Sequence, residues 1–196
     1  MHINSHYALG VIIASISTYY LDFIALEYTL IIIASFICDF DVFFSLYARD
    51  RNHRNLITHS IIPSVIIIII GVIFNWLGLI IAGFAYLLHV VIDTFDWGTN
   101  LFYFPKKTIG LRFLISKDEE ENLDKYLSKY KVKSSFFDFK YYNSKIFLFS
   151  EIFLFFVMLF IISLFTLEYY YVLFFYFPFL FFHLGRHYKL KNIEKS

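Results

Sequence analysis

Long apolar blocks alternate with polar segments along the chain, and this pattern predicts its helices. The apolar blocks occupy residues 7–21, 23–38, 61–75, 77–92, 145–166 and 169–184. The first four are short for a membrane-crossing helix, which needs about 20 residues. They could be tilted helices that cross as closely packed hairpins, or some of them could be re-entrant. We therefore expect an all-α, polytopic membrane bundle of about six helices in short hairpins.

The break between the third and fourth blocks decides the predicted topology. It consists only of Asn75, Trp76, Leu77 and Gly78, and it could be a tight turn between two helices or the middle of one long helix. A single helix over 61–92 would be about 48 Å long at 1.5 Å per residue, which exceeds the bilayer. A turn is therefore the favoured interpretation.

The polar segments cover residues 1–6, 39–60, 94–144 and 185–196. Within the longest of them, residues 117–133 begin with acidic residues and end with lysines. Negative charge near the start of a helix and positive charge near its end are favourable with the helix dipole. This stretch predicts one amphipathic, solvated helix on the cytoplasmic side.

Positive charge is confined to one set of segments. All 17 Lys and Arg residues lie in or directly beside the polar segments, and none lies in the turns expected near residues 22, 76 and 168. Cytoplasmic loops carry the excess of Lys and Arg in membrane proteins. We therefore expect a multi-pass protein of the inner or plasma membrane with both termini in the cytoplasm.

Composition agrees with a membrane protein and excludes several other classes. Apolar residues make up 59% of the chain, and the mean hydropathy is +0.65. The net charge of +1 gives no basic field to attract nucleic acid. The single cysteine, Cys38, cannot form an intrachain disulfide. Residues 1–6 contain no Lys or Arg and no small-residue cleavage site follows, so we do not expect a removable signal peptide.

The length of 196 residues predicts a single membrane-embedded domain, 1–196. Within it we expect a helical core over 1–105, a cytoplasmic polar segment over 106–144, and a helical hairpin with a basic tail over 145–196. The core is where the chemically informative residues lie.

Six His and Asp residues from separate segments are predicted to meet at one end of the bundle. The expected metal ligands are His6, Asp39, Asp41, His59, His89 and Asp93. Imidazole and carboxylate are the usual ligands of zinc, and carboxylate-rich sites also suit manganese or iron. His89 and Asp93 are four residues apart, so they share one helix face. We expect one or two divalent ions, with zinc preferred.

Other polar residues have both functional and ordinary interpretations. We expect Asp39 and Asp41 to project from a loop, where either could ligate an ion, orient a His or take a proton, although Asp-x-Asp is also a common turn signal. His53 could be a further ligand or a proton shuttle. Arg54 could bind a substrate phosphate or a ligand carboxylate. His183 and His187 are better explained as interfacial anchors, and residues 49–51 as an interfacial charged loop.

The order of these pieces resembles the YdjM-type inner-membrane proteins. The matching elements are Ser5-His6 with Gly10, Asp39-Phe40-Asp41, His53-Arg54 with Thr58-His59-Ser60, and His89 to Asp93 with Gly98 and Pro105 beyond. The resemblance covers roughly residues 1–105. The chain departs from the pattern at Cys38, where the family usually has Pro, and at Asn55, where it usually has Gly.

The resemblance implies a metal-dependent hydrolase. The family is in turn similar to zinc-dependent phospholipase C and the nuclease P1, whose His-x-x-x-Asp pair is similar to His89 and Asp93, and this similarity implies a phosphoester substrate. We therefore expect a membrane-bound hydrolase that cleaves a lipid or lipid-linked phosphoester at the cytoplasmic face by metal-activated water. The alternatives are a transporter or sensor that binds metal without hydrolysis, and a scaffold that docks a soluble partner through 94–144.

Overall fold

The computed structural model describes residues 1–48, 52–104 and 108–196. Over these residues the chain forms nine α-helices: α1 (Ile3–Leu21), α2 (Ala25–Phe36), α3 (Ile61–Ile73), α4 (Leu77–Asp96), α5 (Lys117–Glu121), α6 (Leu123–Leu127), α7 (Lys133–Asn143), α8 (Lys145–Phe165) and α9 (Leu173–Lys195). Segments of 3-10 helix cover Ile37–Tyr47, His53–Asn55, Ile57–His59 and Leu167–Val172. The all-α prediction is confirmed. The predicted charged loop at 49–51 and Pro105 lie outside the described residues.

Within the described part of the chain, four stretches are long and apolar enough to cross a membrane: Ala25–Tyr47, Leu77–Asp96, Lys145–Phe165 and Leu167–Lys195. The remaining two apolar blocks also form helices, α1 and α3, and α3 has only 13 residues. Each of the six predicted blocks is therefore a helix, but four of them meet the length and composition expected of a span.

Helix α1 lies inside the bundle and contacts α2, α8 and α9. Several of its polar side chains are buried and bonded to neighbouring segments. Ser15 Oγ lies 3.2 Å from Tyr28 Oη and accepts from Thr166 Oγ1 at 2.8 Å. Asn4 donates to Tyr176 Oη at 3.1 Å. Because these groups find partners within the protein, a helix of modest hydropathy is tolerated at the centre of the bundle.

A turn separates α3 from α4, as the sequence predicts. Asn75 adopts a left-handed conformation with φ +49°, and the indole Nε1 of Trp76 donates to Glu27 Oε1 at 2.9 Å. Glu27 lies in the first turn of α2. The bond therefore ties this turn to the start of α2. The turn itself reverses the chain, so that α3 and α4 pack as an antiparallel pair.

The segment that carries Asp39 and Asp41 is a helix, so the prediction that they project from a loop is wrong. After α2 the chain continues as a 3-10 helix over Ile37–Tyr47. Apolar side chains such as Phe43 and Phe44 continue the apolar character of α2 past the two carboxylates. This 11-residue 3-10 helix is long, since such runs rarely exceed three or four residues. It turns both Cys38 and Asp41 inward, where they are buried.

The predicted single helix over 117–133 is also wrong, because the chain is interrupted at Asn122. The Asn122 side chain donates to the carbonyl oxygen and to Oδ1 of Asp118, which ends α5 after five residues. Local side-chain bonds of this kind compete with helix continuation. In contrast, the basic tail is helical, since α9 runs to Lys195.

Gly10 allows α1 and α2 to approach closely beside the polar end of the bundle. A Cβ at Gly10 would lie 2.0 Å from Ser35 Oγ and 2.7 Å from Ser35 Cβ. Ser35 Oγ donates to the His6 carbonyl at 3.0 Å. The absence of a side chain at residue 10 therefore sets the distance between the segments that carry His6 and Ser35.

We expect Gly10→Ala to lower the free energy of unfolding by about 1–3 kcal/mol, because the added methyl overpacks a tight contact. Thermal unfolding in detergent measures the change. The matched control is Gly185→Ala in α9, where a Cβ would meet nothing within 4 Å. There Ala should raise stability by up to about 1 kcal/mol through helix propensity. Equal effects at the two positions would contradict this account.

Candidate metal centre

The residues predicted to form a site come from five segments that end at the same pole of the bundle. They are the start of α1, the 3-10 helix Ile37–Tyr47, the two short 3-10 helices at His53–Asn55 and Ile57–His59, and the end of α4. The structure brings His59, His89 and Asp93 together with Asp39. The antiparallel arrangement of the helices thus joins side chains that are up to 54 residues apart.

Four ligand atoms from these residues converge on one point. His59 Nε2 lies 3.4 Å from Asp93 Oδ2 and 3.9 Å from Asp39 Oδ1. His89 Nε2 lies 3.7 Å from Asp93 Oδ2 and 3.6 Å from Asp39 Oδ1. One ligand atom from each of the four residues lies within 4.8 Å of the other three. Ligands at 2.0–2.2 Å around a tetrahedral zinc ion would be about 3.3–3.6 Å apart, so the spacing fits one such ion with little movement.

Several polar atoms at this place lack hydrogen-bond partners. Among the described residues, none makes a hydrogen bond to His59 Nε2, His89 Nε2 or the second Asp39 oxygen, Oδ2, although all three atoms are buried. Asp93 Oδ2 is also buried without a hydrogen bond, and the cation that it faces is Arg54, with Nη2 at 3.2 Å. A buried polar atom without a hydrogen bond costs free energy, and several at one place are unusual for a packed core. A cation bound between them would satisfy this set of acceptors.

The opposite side of each imidazole is fixed by a second bond. His89 Nδ1 lies 2.7 Å from the Ser35 carbonyl oxygen, which can only accept, so Nδ1 carries the proton. His59 Nδ1 lies 2.7 Å from Asp41 Oδ2, which also accepts from Thr58 Oγ1 at 2.5 Å. Carboxylates and carbonyls behind a His commonly orient metal ligands in this way. In both rings Nε2 therefore faces the cluster.

The structure places His6 and Asp41 beside the four-residue cluster rather than within it. His6 Nε2 lies 3.1 Å from Asp93 Oδ1, and its ring stacks on that of His89 with the centroids 3.7 Å apart. Asp41 contacts His59 Nδ1, as described above. Asp41 also belongs to a second group of possible ligand atoms, with His53 and His59. The ligand roles of His6 and Asp41 stay predictions.

Arg54 is buried and its guanidinium is bonded within the protein. It donates to both carboxylate oxygens of Asp96, at 2.5 and 3.0 Å, and to the Asp93 carbonyl at 3.1 Å. Its Nη2 also lies 3.2 Å from Asp93 Oδ2. Burial opposes the charge, but the carboxylates of Asp93 and Asp96 outweigh it and raise the pKa of Arg54. Of the two roles predicted from the sequence, binding a carboxylate fits this geometry.

His53 is a further polar residue beside His59. Asp41, His53 and His59 also have ligand atoms within 4.8 Å of one another. Burial, with His59 and Arg54 nearby, lowers the pKa of His53 to about 3, so this ring is neutral near pH 7. Burial would also lower the pKa of His59, but the carboxylates of Asp41 and Asp93 outweigh it and raise the pKa to about 9. The centre therefore favours positive charge at His59.

A second buried polar cluster, which the sequence analysis missed, lies next to this centre. Glu151 of α8 is 8% exposed, and its Oε1 accepts from Ser5 Oγ at 3.2 Å and Tyr141 Oη at 2.8 Å. His2 Nδ1 lies 3.0 Å from the same oxygen, and its ring stacks on His183. An ionisable residue inside the apolar block 145–166 was the available signal.

The cluster of four is almost closed to solvent. His59, His89 and Asp93 are at most 1% exposed, whereas the side chain of Asp39 is 15% exposed. Asp39 is therefore the member of the cluster nearest to the outside. His187, by contrast, lies outside the cluster and pairs with Asp138 through Nδ1 at 2.6 Å.

Comparison with known proteins places the sequence in one family. A family model described as "YdjM inner membrane protein" matches residues 1–171. No curated protein and no solved structure matches the chain. The match extends beyond the resemblance recognised in residues 1–105 and includes α8.

We expect Arg54→Met to lower the free energy of unfolding by about 3–5 kcal/mol, because it leaves the Asp93 and Asp96 carboxylates buried without their cation. The control is Arg112→Met, which removes a pair with the exposed Glu120 and two hydrogen bonds to Thr108. The exposed pair is worth about 0–1 kcal/mol, so this variant should lose less stability than Arg54→Met. Thermal unfolding in detergent compares the two variants. If Arg54 instead served only to bind substrate, Arg54→Met would unfold like the wild type.

Proposed function

Because the chain belongs to the YdjM inner membrane protein family, we propose that this membrane protein binds one divalent metal ion at the pole of its bundle and is a metal-dependent hydrolase. The ligands would be His59, His89 and Asp93, with Asp39 beside the fourth position. Zinc is the preferred ion because two imidazoles and two carboxylates at tetrahedral spacing suit it; manganese or iron would suit a more carboxylate-rich set.

The convergence of four ligand atoms, three of them almost inaccessible to solvent, carries this proposal. The spacings of 3.4–3.9 Å between His nitrogens and Asp oxygens match those around a single ion. A second ion is less well supported. The group of Asp41, His53 and His59 shares His59 with the first set, and His59 Nδ1 is already bonded to Asp41.

The residues around the ligands have separate roles in this proposal. An ion held here would act as a Lewis acid and would lower the pKa of a water molecule. Asp41 and Ser35 hold the imidazoles in the tautomer that offers Nε2. Arg54 and Asp96 hold the backbone at the end of α4, where Asp93 lies. His53, neutral near pH 7, would accept a hydrogen bond from a substrate group or from water.

Asp39 has the strongest case for a role in proton transfer. It is the most exposed of the four and lies on the unusually long 3-10 helix. Catalytic zinc sites keep one position open for water or substrate, while structural sites fill all four with protein ligands. We propose that Asp39 lies beside the open position and takes the proton of the attacking water.

The proposed substrate is a phosphoester carried on a lipid or lipid-linked molecule at the cytoplasmic face. The ligands lie at helix ends, where a headgroup would lie. The outer face of the 3-10 helix next to Asp39 exposes Phe43, Phe44 and Tyr47, and exposed aromatic side chains suit the membrane interface. The phosphoester itself rests on the resemblance to zinc-dependent phospholipase C.

A second function is favoured by the burial of the cluster: a closed, four-ligand ion site in a sensor or structural protein without hydrolysis. The near-zero exposure of His59, His89 and Asp93 is typical of structural sites. The two functions differ in whether Asp39 is needed to hold the ion.

We expect the detergent-purified protein to contain about one zinc, manganese or iron ion per chain by plasma mass spectrometry. His59→Ala and Asp93→Asn should each lose it, since each removes a protein ligand. The matched control is His187→Ala, which removes a partly buried His bonded to a carboxylate outside the cluster, and which should keep full metal content. A folded wild type that takes up none of these ions after reconstitution would contradict the metal site.

Asp39→Ala separates the hydrolase from the closed site. In a hydrolase it should retain the ion, with affinity reduced by no more than about 10–100-fold, and should lose hydrolysis of a chromogenic phosphodiester and of phospholipid vesicles. In a closed site it should release the ion as Asp93→Asn does. Hydrolysis that is absent from metal-loaded wild type with both substrates would count against the hydrolase and leave the ion site standing.

A further inference from the structure

Cys38 lies against the same two imidazoles as the proposed ion. Its Sγ and one ring nitrogen from each of His59 and His89 lie within 4.8 Å of one another. Cys38 is 3% exposed and is the only cysteine in the chain. Most buried cysteines act as small apolar side chains. Near Cys38, however, His59 Nε2 and His89 Nε2 are buried and have no hydrogen-bond partner among the described residues.

One short segment of the chain brings this thiol to the imidazoles. The Ser35 carbonyl accepts from His89 Nδ1 and so orients its Nε2 toward the cluster. Three residues later, Cys38 lies in the first turn of the 3-10 helix that also carries Asp39. Residues 35–39 thus fix the ring of His89 and place a thiol and a carboxylate next to its free nitrogen.

We infer that the Cys38 thiolate is a ligand of the metal ion held by His59 and His89. This inference rests on the proposed metal site and deepens it by naming the class of ion. Coordination replaces the S–H bond by an S–metal bond, and the proton leaves to solvent. Sulfur and nitrogen ligands of a tetrahedral zinc ion would be about 3.5 Å apart, so the pocket needs only a small inward movement of Sγ.

The thiolate gives the centre a preference that carboxylates alone would not. Thiolates are soft ligands that favour zinc and other thiophilic ions, whereas an all-oxygen set favours magnesium, calcium or manganese. With Cys38 included, two donor sets share His59 and His89: one completed by sulfur, the other by the oxygens of Asp39 and Asp93. The ion would therefore be of the zinc class.

Cobalt substitution tests the inference without relying on enzymatic activity. The full-length protein in detergent is stripped with a chelator and loaded with Co²⁺, and the bound cobalt is counted by mass spectrometry. Tetrahedral cobalt gives visible ligand-field bands, and a cobalt–thiolate bond adds an intense near-ultraviolet charge-transfer band. Since the chain has one cysteine, that band can come only from Cys38. We expect both sets of bands in the wild type and loss of the charge-transfer band in Cys38→Ser.

A relocated thiol provides the matched control. The double variant Ala14→Cys/Cys38→Ala puts a buried thiol on α1, eight residues beyond His6 and so about 12 Å further along the helix. It should show no charge-transfer band. A band in this variant would mean that the signal is not specific to Cys38 and would overturn the inference.

The outcomes separate this inference from the metal site itself. Bound cobalt with ligand-field bands but no charge-transfer band in the wild type would overturn the role of Cys38 and leave the site intact. No bound cobalt in folded protein, after zinc and manganese also fail to bind, would overturn both. A charge-transfer band in the wild type supports the inference even if Cys38→Ser does not fold.

Discussion

The burial of Asp93 is the constraint on which the pole of the bundle depends. A carboxylate with no exposed surface at the end of an apolar helix is costly unless other groups compensate its charge. Its partners come from several segments: His6 from α1, Arg54 and His59 from the short 3-10 helices, and His89 from one turn earlier in α4. Each of these segments is therefore held at the same place, and the polar cluster fixes how the helix ends meet.

The same constraint explains why α1 lies inside the bundle although it is not one of the four apolar candidate spans. Its first turns carry His6 and Ser5, which bond to Asp93 and Glu151. Gly10 then lets the helix approach α2 closely. Helices α2, α8 and α9 pack against it, and α8 and α9 present many exposed Phe side chains to the outside, as lipid-facing surfaces do.

Much of the fold could be predicted from the sequence because apolar blocks and weak breaks are local signals. The turn at Asn75 is one example. The 3-10 helix at Asp39 and Asp41 could not be predicted, because two carboxylates close together read as a loop, and the groups that make their burial tolerable, such as His59 and Thr58, lie far along the chain. The prediction of one helix over 117–133 failed for the opposite reason. There, a local bond from the Asn122 side chain to Asp118 overrides a favourable charge pattern.

For the candidate site, the sequence identified the residue types and their common pole but not their arrangement. The i, i+4 spacing of His89 and Asp93 gives a shared face without the help of the rest of the chain. Three features of the arrangement depend on how the helices pack. They are the position of His6 next to Asp93, the proximity of Cys38 to the imidazoles and the network around Glu151. The ligand roles and the division of the chain into core, polar segment and hairpin stay predictions.

The near-complete enclosure of the cluster has a kinetic consequence. An ion among His59, His89 and Asp93 could enter or leave only when a neighbouring segment opens, so its exchange rate would follow the frequency of that local opening rather than the strength of the metal–ligand bonds. The 3-10 helix Ile37–Tyr47 carries Asp39, the most exposed of the four residues. The residence time of an ion at this centre would therefore depend on how often that helix opens, and an ion acquired during folding would persist through purification.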